Sequence, residues 1–308
     1  MTIISTYFVR EATEGVTPVN SNNWRYLESL RAPLAAEISD VQSRMQSGNR
    51  RPASKYSTSL AGSGTIEVEY SILPSLEFLE CLLGNVFGGG NSIIQGQNKY
   101  TNSIEQHYLF DDASFCFMLF KAAVIDSLSL RVPFGQLVTA SWGLKGASPE
   151  YLDGTTDVSK VGSGSIQAAY PHVPLNGSVD AVSHSVDAGT LDVRDMTFTF
   201  NNKARPITSW GFAGPRKYEL SQRPDIGGSL ECFVEKRSVS LFKKTVANTP
   251  IDISFRLQDA TNWIEFSMPA CIPVTTPPGP GDADEDRIQT IQFSMDSTDD
   301  LTITKGAV

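Results

Sequence analysis

Hydrophobic and polar residues alternate along most of this chain with the period of strands that bury one face. From Thr65 to Ser71, Ile66, Val68 and Tyr70 fall on one side and Glu67 and Glu69 on the other. Ile251, Ile253, Phe255 and Leu257 alternate with Asp252, Ser254 and Arg256. After the polar QDATN, Ile264, Phe266 and Met268 resume the alternation, which predicts an antiparallel hairpin. Further strands are predicted at 104–110, 115–121, 126–132, 137–144, 190–200, 228–234, 288–295 and 301–304.

Two segments carry helical spacing instead. From Ser75, a candidate N-cap, the residues Leu76, Leu79, Leu82, Leu83 and Val86 share a face until Gly88–Gly90 stop the helix. The second runs from about Lys236 to Val246, with Val239, Phe242 and Val246 on one side. Its Lys243 and Lys244 sit near the C-terminus, where the helix dipole favours cations. Both read as helices packed on a sheet, so the fold class is mainly β with one flanking α-helix in each half.

The order of elements repeats. Gly64, a strand, the helix from Ser75, strands near 104 and 115, SLSLRV and VTASWGLKGA are followed in the second half by Gly228, a strand, the helix from Lys236, the hairpin near 251 and 264, IQFSM and LTITKGA. Corresponding points lie roughly 160 to 165 residues apart, the mark of a diverged internal duplication. The expectation is two tandem β-sandwich units, 1–147 and 148–308. Two polar stretches, 41–62 and 147–189, read as long loops of the kind that are functional or ordered by a partner. The first holds Arg44, Arg50, Arg51 and Lys55 with no acid.

Composition narrows the function. With 308 residues and 40% hydrophobic side chains the chain can build a large core, which excludes global disorder. A net charge of −9 argues against a dedicated nucleic-acid binder, because phosphate binding needs clustered Lys and Arg. Seven acids against two bases between Asp282 and Lys305 supply much of that charge. Residues 1–10 do not read as a secretion signal, and no apolar run approaches the ~20 residues that span a bilayer. Cys81, Cys116, Cys232 and Cys271 are far apart in apolar contexts and read as reduced core thiols.

Catalytic patterns are sparse. His107, His172 and His184 have no partners at zinc spacing, so no metal and no cofactor is expected. The glycines at 88–90 and 162–165 complete neither a Walker nor a dinucleotide motif, and there is no GxSxG elbow. The DADED run at 282–286 lacks the Gly and Glu of an EF-hand. Glu67 and Glu69 would share one strand face at a separation a glycosidase pair can use. Alternating acids are more often a solvated face. Of the four tryptophans, any of which could stack on a sugar, Trp142 and Trp263 lie in strand patterns and read as core, against a carbohydrate-binding module.

REATEGVTP at 10–18, SRMQSGNRRP at 43–52, GSGTIEVEYS at 62–71 with the helix after it, FTFNNKARPI at 198–207 and the segment 227–259 together resemble the tail tube (major tail) proteins of long-tailed, non-contractile bacteriophages. The resemblance implies β-sandwich or barrel units, each flanked by a helix, that self-assemble into rings. The rings stack into a hollow tube through which DNA is ejected, in a virion whose parts are made in the bacterial cytoplasm. Six such units form a ring in that family. A duplicated chain would therefore give a trimeric pseudo-hexamer, and an unduplicated one a homohexamer. Partners are the chain itself and other tail proteins at the tube ends, while the tape measure protein and DNA pass without specific binding; no membrane is involved. On this reading Glu67, Glu69 and Asp252 are candidates for an acidic lumen, and Arg44, Arg50, Arg51 and Lys55 for contacts between rings. A tube protein of a contractile tail or secretion apparatus, which shares the fold, is the nearest alternative. A carbohydrate-binding sandwich or glycoside hydrolase is the alternative of another class.

Overall fold

The computed structural model describes residues 2–19, 23–42, 55–110, 114–146, 148–161, 166–167, 170–210, 215–220, 223–275, 287–296 and 299–308. In chain order the strands are β1 (Thr2–Arg10), β2 (Arg25–Tyr26), β3 (Leu34–Gln42), β4 (Lys55–Glu69), β5 (Ser92–Ile94), β6 (Asn102–Leu109), β7 (Phe115–Pro133), β8 (Thr139–Gly146), β9 (Ser148–Leu152), β10 (Ala181–Val186), β11 (Val193–Asn201), β12 (Arg205–Thr208), β13 (Pro215–Glu219), β14 (Asp225–Phe233), β15 (Ile251–Gln258), β16 (Asn262–Thr275), β17 (Ile288–Met295) and β18 (Thr302–Ala307). Helix α1 (Ile72–Leu83) follows β4 and α2 (Lys236–Ala247) follows β14. The protein is mainly β, as the alternation predicts, and among the described residues every ladder between strands is antiparallel.

One pairing scheme occurs twice. In the first half β1 pairs with β6, β6 with β7, β7 with β8, β8 with β4 and β4 with β3. In the second, β10 pairs with β15, β15 with β16, β16 with β17, β17 with β14 and β14 with β11. The registers match: Leu34, Gly64, Leu144 and Ile125 stand in line across β3, β4, β8 and β7, and Phe198, Gly228, Phe293 and Pro273 across β11, β14, β17 and β16. The spacing between corresponding points is not constant. It shortens after the helices, because β5 and its flanks are inserted only in the first half.

In each half one long strand belongs to both layers. The N-terminal part of β7 pairs with β6 and its C-terminal part with β8, so the two strands expected at 115–121 and 126–132 are one. Strand β16 divides in the same way between β15 and β17. At the crossover Ala122 and Ala270 take left-handed conformations, with φ of 48° and 51°. A carboxylate holds each: Ala122 N–H donates to Glu11 Oε1 at 3.0 Å and Ala270 N–H to Asp252 Oδ1 at 3.1 Å. The extra residue reverses which faces point inward, and the strand passes from one layer to the other.

The layers enclose one apolar cluster that runs through both halves. In the second half Phe198 on β11 lies 5.3 Å from Phe266 on β16 and 6.1 Å from Phe255 on β15, ring centre to ring centre. In the first, Phe78 of α1 sits between Phe8 of β1, at 5.0 Å, and Trp142 of β8, at 5.3 Å. The halves are joined by β11, which pairs with the C-terminal part of β7, and by β5, which pairs with β18. The four cysteines are free and buried, as their apolar contexts predict.

Helix α1 begins earlier than its apolar spacing suggests. Ser71 is the N-cap residue, and Ser75, expected there, is buried in the first turn with its hydroxyl on Ser71 O at 2.7 Å. Pro74 is accommodated because N–H groups of a first turn have no partner in the helix. Gly84, not the later glycine run, ends it in a left-handed conformation with φ 64°, its N–H on Glu80 O. A methyl at Gly84 would run into the carbonyl oxygen of Asn98. Gly84→Ala is expected to lower stability by about 1 to 2 kcal/mol in urea unfolding; an unchanged midpoint would mean that this cap is not needed.

Helix α2 packs on β16 through Leu241, which is 1% exposed. Of the face expected to pack, Phe242 is half-buried, but Val239 is 40% and Val246 73% exposed. Ser238 takes the buried position because it closes a capping box with Glu235.

Candidate functional site

Taken through their C-terminal parts, β16 and β7 belong to a continuous path of eight strands, β16–β17–β14–β11–β7–β8–β4–β3. One face of this path, with Phe198, Leu230, Leu130, Trp142 and Ile66, is core. The opposite face is small and polar. One row across it reads Ser294, Gly227, Thr199, Ser129, Ser141, Glu67, and the next reads Gln292, Ser229, Thr197, Arg131, Thr139, Glu69. A third brings Asp195 opposite Glu231, which faces Thr290.

Glu67 and Glu69 therefore share one face, as their alternation predicts. The register adds Asp195 and Glu231, which sequence reading missed because nothing local connects them to β4. Arg131 is the cation of these rows, and its guanidinium donates to Asp195 Oδ2 at 2.8 Å. That hydrogen bond, together with the carboxylate's charge, raises the pKa of Arg131. Asp252 is not brought to this face. It lies on β15, outside the eight-strand path, and its carboxylate supports the crossover at Ala270.

The geometry does not suit a glycosidase pair. Glu69 lines a small cleft with Arg25, Glu28, Tyr170 and His172, whereas Glu67 does not line it. His172 stands 3.5 Å from Glu69 and 3.8 Å from Glu28. Among the described residues no group of His, Cys, Asp and Glu could hold a metal ion. Trp24 and Trp142 are buried. Trp263, expected in the core, is partly exposed, with Arg256 stacked 4.2 Å over its ring. Trp210 is fully exposed.

In the stretch 41–62, expected as a loop, the described residues 41–42 and 55–62 are strand. β3 and β4 form a long hairpin in which Gln42 still faces Lys55. The residues from Lys55 to Gly64 are mostly Ser, Thr, Gly and Ala, so they carry no apolar alternation from which to predict a strand. Lys55 opens β4; Arg44, Arg50 and Arg51 lie outside the described residues, as do the glycines at 162–165 and the acidic run at 282–286. By register the counterpart of this hairpin is not 147–189, where β9 and β10 fall, but the segment that carries β12 and β13 between β11 and β14. That second hairpin is also basic. Lys203 pairs with Asp225 at 2.6 Å, and Arg205 and Lys217 share Glu219 at 3.1 and 3.3 Å. Arg216 and Arg223 add to it, and Trp210 stands near its turn.

Each hairpin leaves the sheet at the end opposite Glu69 and Glu231. In β4 Lys55 and Glu69 are the two terminal residues, and β11 and β14 lie in register with it across β8 and β7. One end of the molecule thus carries the β12–β13 hairpin with its cations Lys203, Arg205 and Lys217, and the other the carboxylates of Glu69 and Glu231.

A protein-family model described as phage tail tube protein matches residues 4–295. Comparison with curated proteins returns no match.

Proposed function

Because the chain belongs to the phage tail tube protein family, we propose that it self-assembles into stacked rings that form a hollow tail tube, through which DNA is ejected into the host. As a member of that family it is a structural component of the virion. The observation that carries the finer reading is the eight-strand path, with core on one face, small polar side chains on the other, and two end strands, β3 and the C-terminal part of β16, with whose outer edges no further strand pairs among the described residues. Sheets of this kind become stable walls when closure removes their edges.

The repeated pairing scheme supports residues 1–147 and 148–308 as tandem copies of one tail-tube unit. Each chain then supplies two wall segments and three chains close a pseudo-sixfold ring; six chains, with one segment used by each, is the alternative. The polar face becomes the lining. Glu67, Glu69, Asp195 and Glu231 repel phosphates, so that DNA and the tape measure protein pass without being held. Rings stack head to tail through the basic hairpins, which meet the carboxylate end of the next ring, where complementary charge fixes register. Other tail proteins cap the ends of the tube, and the subunit is made in the bacterial cytoplasm.

Electron microscopy of the concentrated, purified chain tests this reading. Hollow tubes of constant diameter are the expected product, and particles that stay single at every concentration and salt would contradict it. Changing Arg44, Arg50, Arg51 and Lys55 together to Ser is expected to shorten tubes at least tenfold while circular dichroism and the melting temperature stay as in the parent. Tubes of normal length would remove these four residues from the contact between rings.

A further inference from the structure

Helix α2 exposes a face that its twin in the first half buries. The two helices correspond residue by residue: each has 12 residues, and each ends at a left-handed residue, Gly84 or Asn248. The N-cap Ser71 also lies as far beyond Gly64 as the N-cap Glu235 lies beyond Gly228. Leu79, Leu82 and Leu83 of α1 therefore hold the places of Lys243, Val246 and Ala247 of α2. Leu82 is 2% exposed and Val246 73%. The last turn of α1 is closed in by the second half of the chain: Asn202 Nδ2 donates to Leu82 O at 2.8 Å, α1 touches β16, and just beyond Gly84 strand β5 pairs with β18. Strands β9 and β18 correspond as well. Met118 and Phe266 hold matching places ahead of the crossover residues Ala122 and Ala270, and they face Tyr151 and Ile303. Ile303 is fully buried opposite Ile93 of β5, whereas Tyr151 is 61% exposed.

We propose that the last turn of α2, at Val246, packs on β9 of a second copy of this chain, at Tyr151, as the last turn of α1 packs beside β18 within the chain. This rests on the tube reading with two units in each chain, and deepens it by giving the second helix a partner. Three observations support it. The helix and strand that meet at the internal junction recur as α2 and β9, and in one chain α2 lies on β16 and β9 on β7, so a second copy is needed to bring them together. The exposure of Val246 and Tyr151 falls at the places whose twins, Leu82 and Ile303, are buried by that junction. The charges are opposite: the exposed Lys243 takes the place of the buried Leu79, and the exposed Asp153 and Asp157 follow Tyr151. No strand joins a sheet in this contact. The second half has no β5, so α2 meets β9 directly, and a tyrosine spans more of that gap than the isoleucine of β18 would. The apolar spacing that predicts a packed face through Val246 thus has its partner on another chain.

Chemical cross-linking tests the contact. Val246→Cys and Tyr151→Cys chains, mixed, assembled and treated with a short bis-maleimide, are expected to give a two-chain band about tenfold or more above either variant alone. The native cysteines are buried and do not compete. In a second arm Val246→Asp puts a carboxylate into the contact. It is expected to shorten tubes about tenfold or more while the melting temperature of the free chain stays as in the parent, whereas Val246→Leu keeps tubes at parent length. Parent tubes with no cross-link above the single variants, or Val246→Asp tubes as long as the parent's, would overturn the contact and leave the tube reading standing. No tubes from the parent chain would overturn that reading, and this contact with it.

Discussion

Glu11→Ala is expected to destabilise the chain by about 3 to 5 kcal/mol, against the 5 to 15 kcal/mol typical of a folded protein. The Glu11 carboxylate is 8% exposed and accepts four hydrogen bonds. They come from Gly15 N–H at 2.7 Å, Thr101 Oγ1 at 2.7 Å, Ser103 Oγ at 2.7 Å and Ala122 N–H at 3.0 Å. Alanine leaves these donors without their acceptor, and burial makes that costly. The loss falls on Ala122, the point where β7 changes layers, so misassembly should accompany it. Glu11→Gln keeps one acceptor oxygen and should cost about half as much. Urea unfolding of both variants measures this; a loss below about 1 kcal/mol for Glu11→Ala would show that the crossover holds without its carboxylate.

That crossover also explains what could be read from the sequence. Alternation located β8, β15 and β17 because each buries one face only. It broke β7 into two strands because the left-handed Ala122 shifts the phase of the pattern by one residue within KAAVI. The β3–β4 hairpin escaped because the Ser and Gly of a strand such as KYSTSLAGSG cannot be told from those of a loop. Helix α2 was placed correctly but rotated, since Val239 and Val246, both exposed, drew the predicted face away from the buried Leu241. Of the polar face, Glu67 and Glu69 were legible as neighbours on one strand. Asp195 and Glu231 join them only through the β7–β11 and β11–β14 registers, which are long-range properties of the fold.

The second large effect concerns that face. With Glu67, Glu69 and Glu231 changed together to Lys, tubes are expected to form but to retain double-stranded DNA that parent tubes release. Asp195 is left in place because it anchors Arg131. Each chain would then present three cations in place of three anions, repeated around every ring. Retention should be electrostatic, falling by about 10³-fold or more between 50 and 200 mM salt, as for other contacts that neutralise many phosphates. Co-sedimentation of DNA with assembled tubes across a salt series measures it. Equal DNA association of variant and parent would mean that these carboxylates face away from the channel, and the lining would have to be sought on another surface.

The most direct measurement is a cryo-electron microscopy reconstruction of assembled tubes at a resolution that traces strands. The expected result is three chains in each ring, six wall segments of four strands closed into one barrel, and the row containing Glu67 turned toward the channel. Six chains in a ring, or a channel lined by β15 and β10 instead, would contradict it.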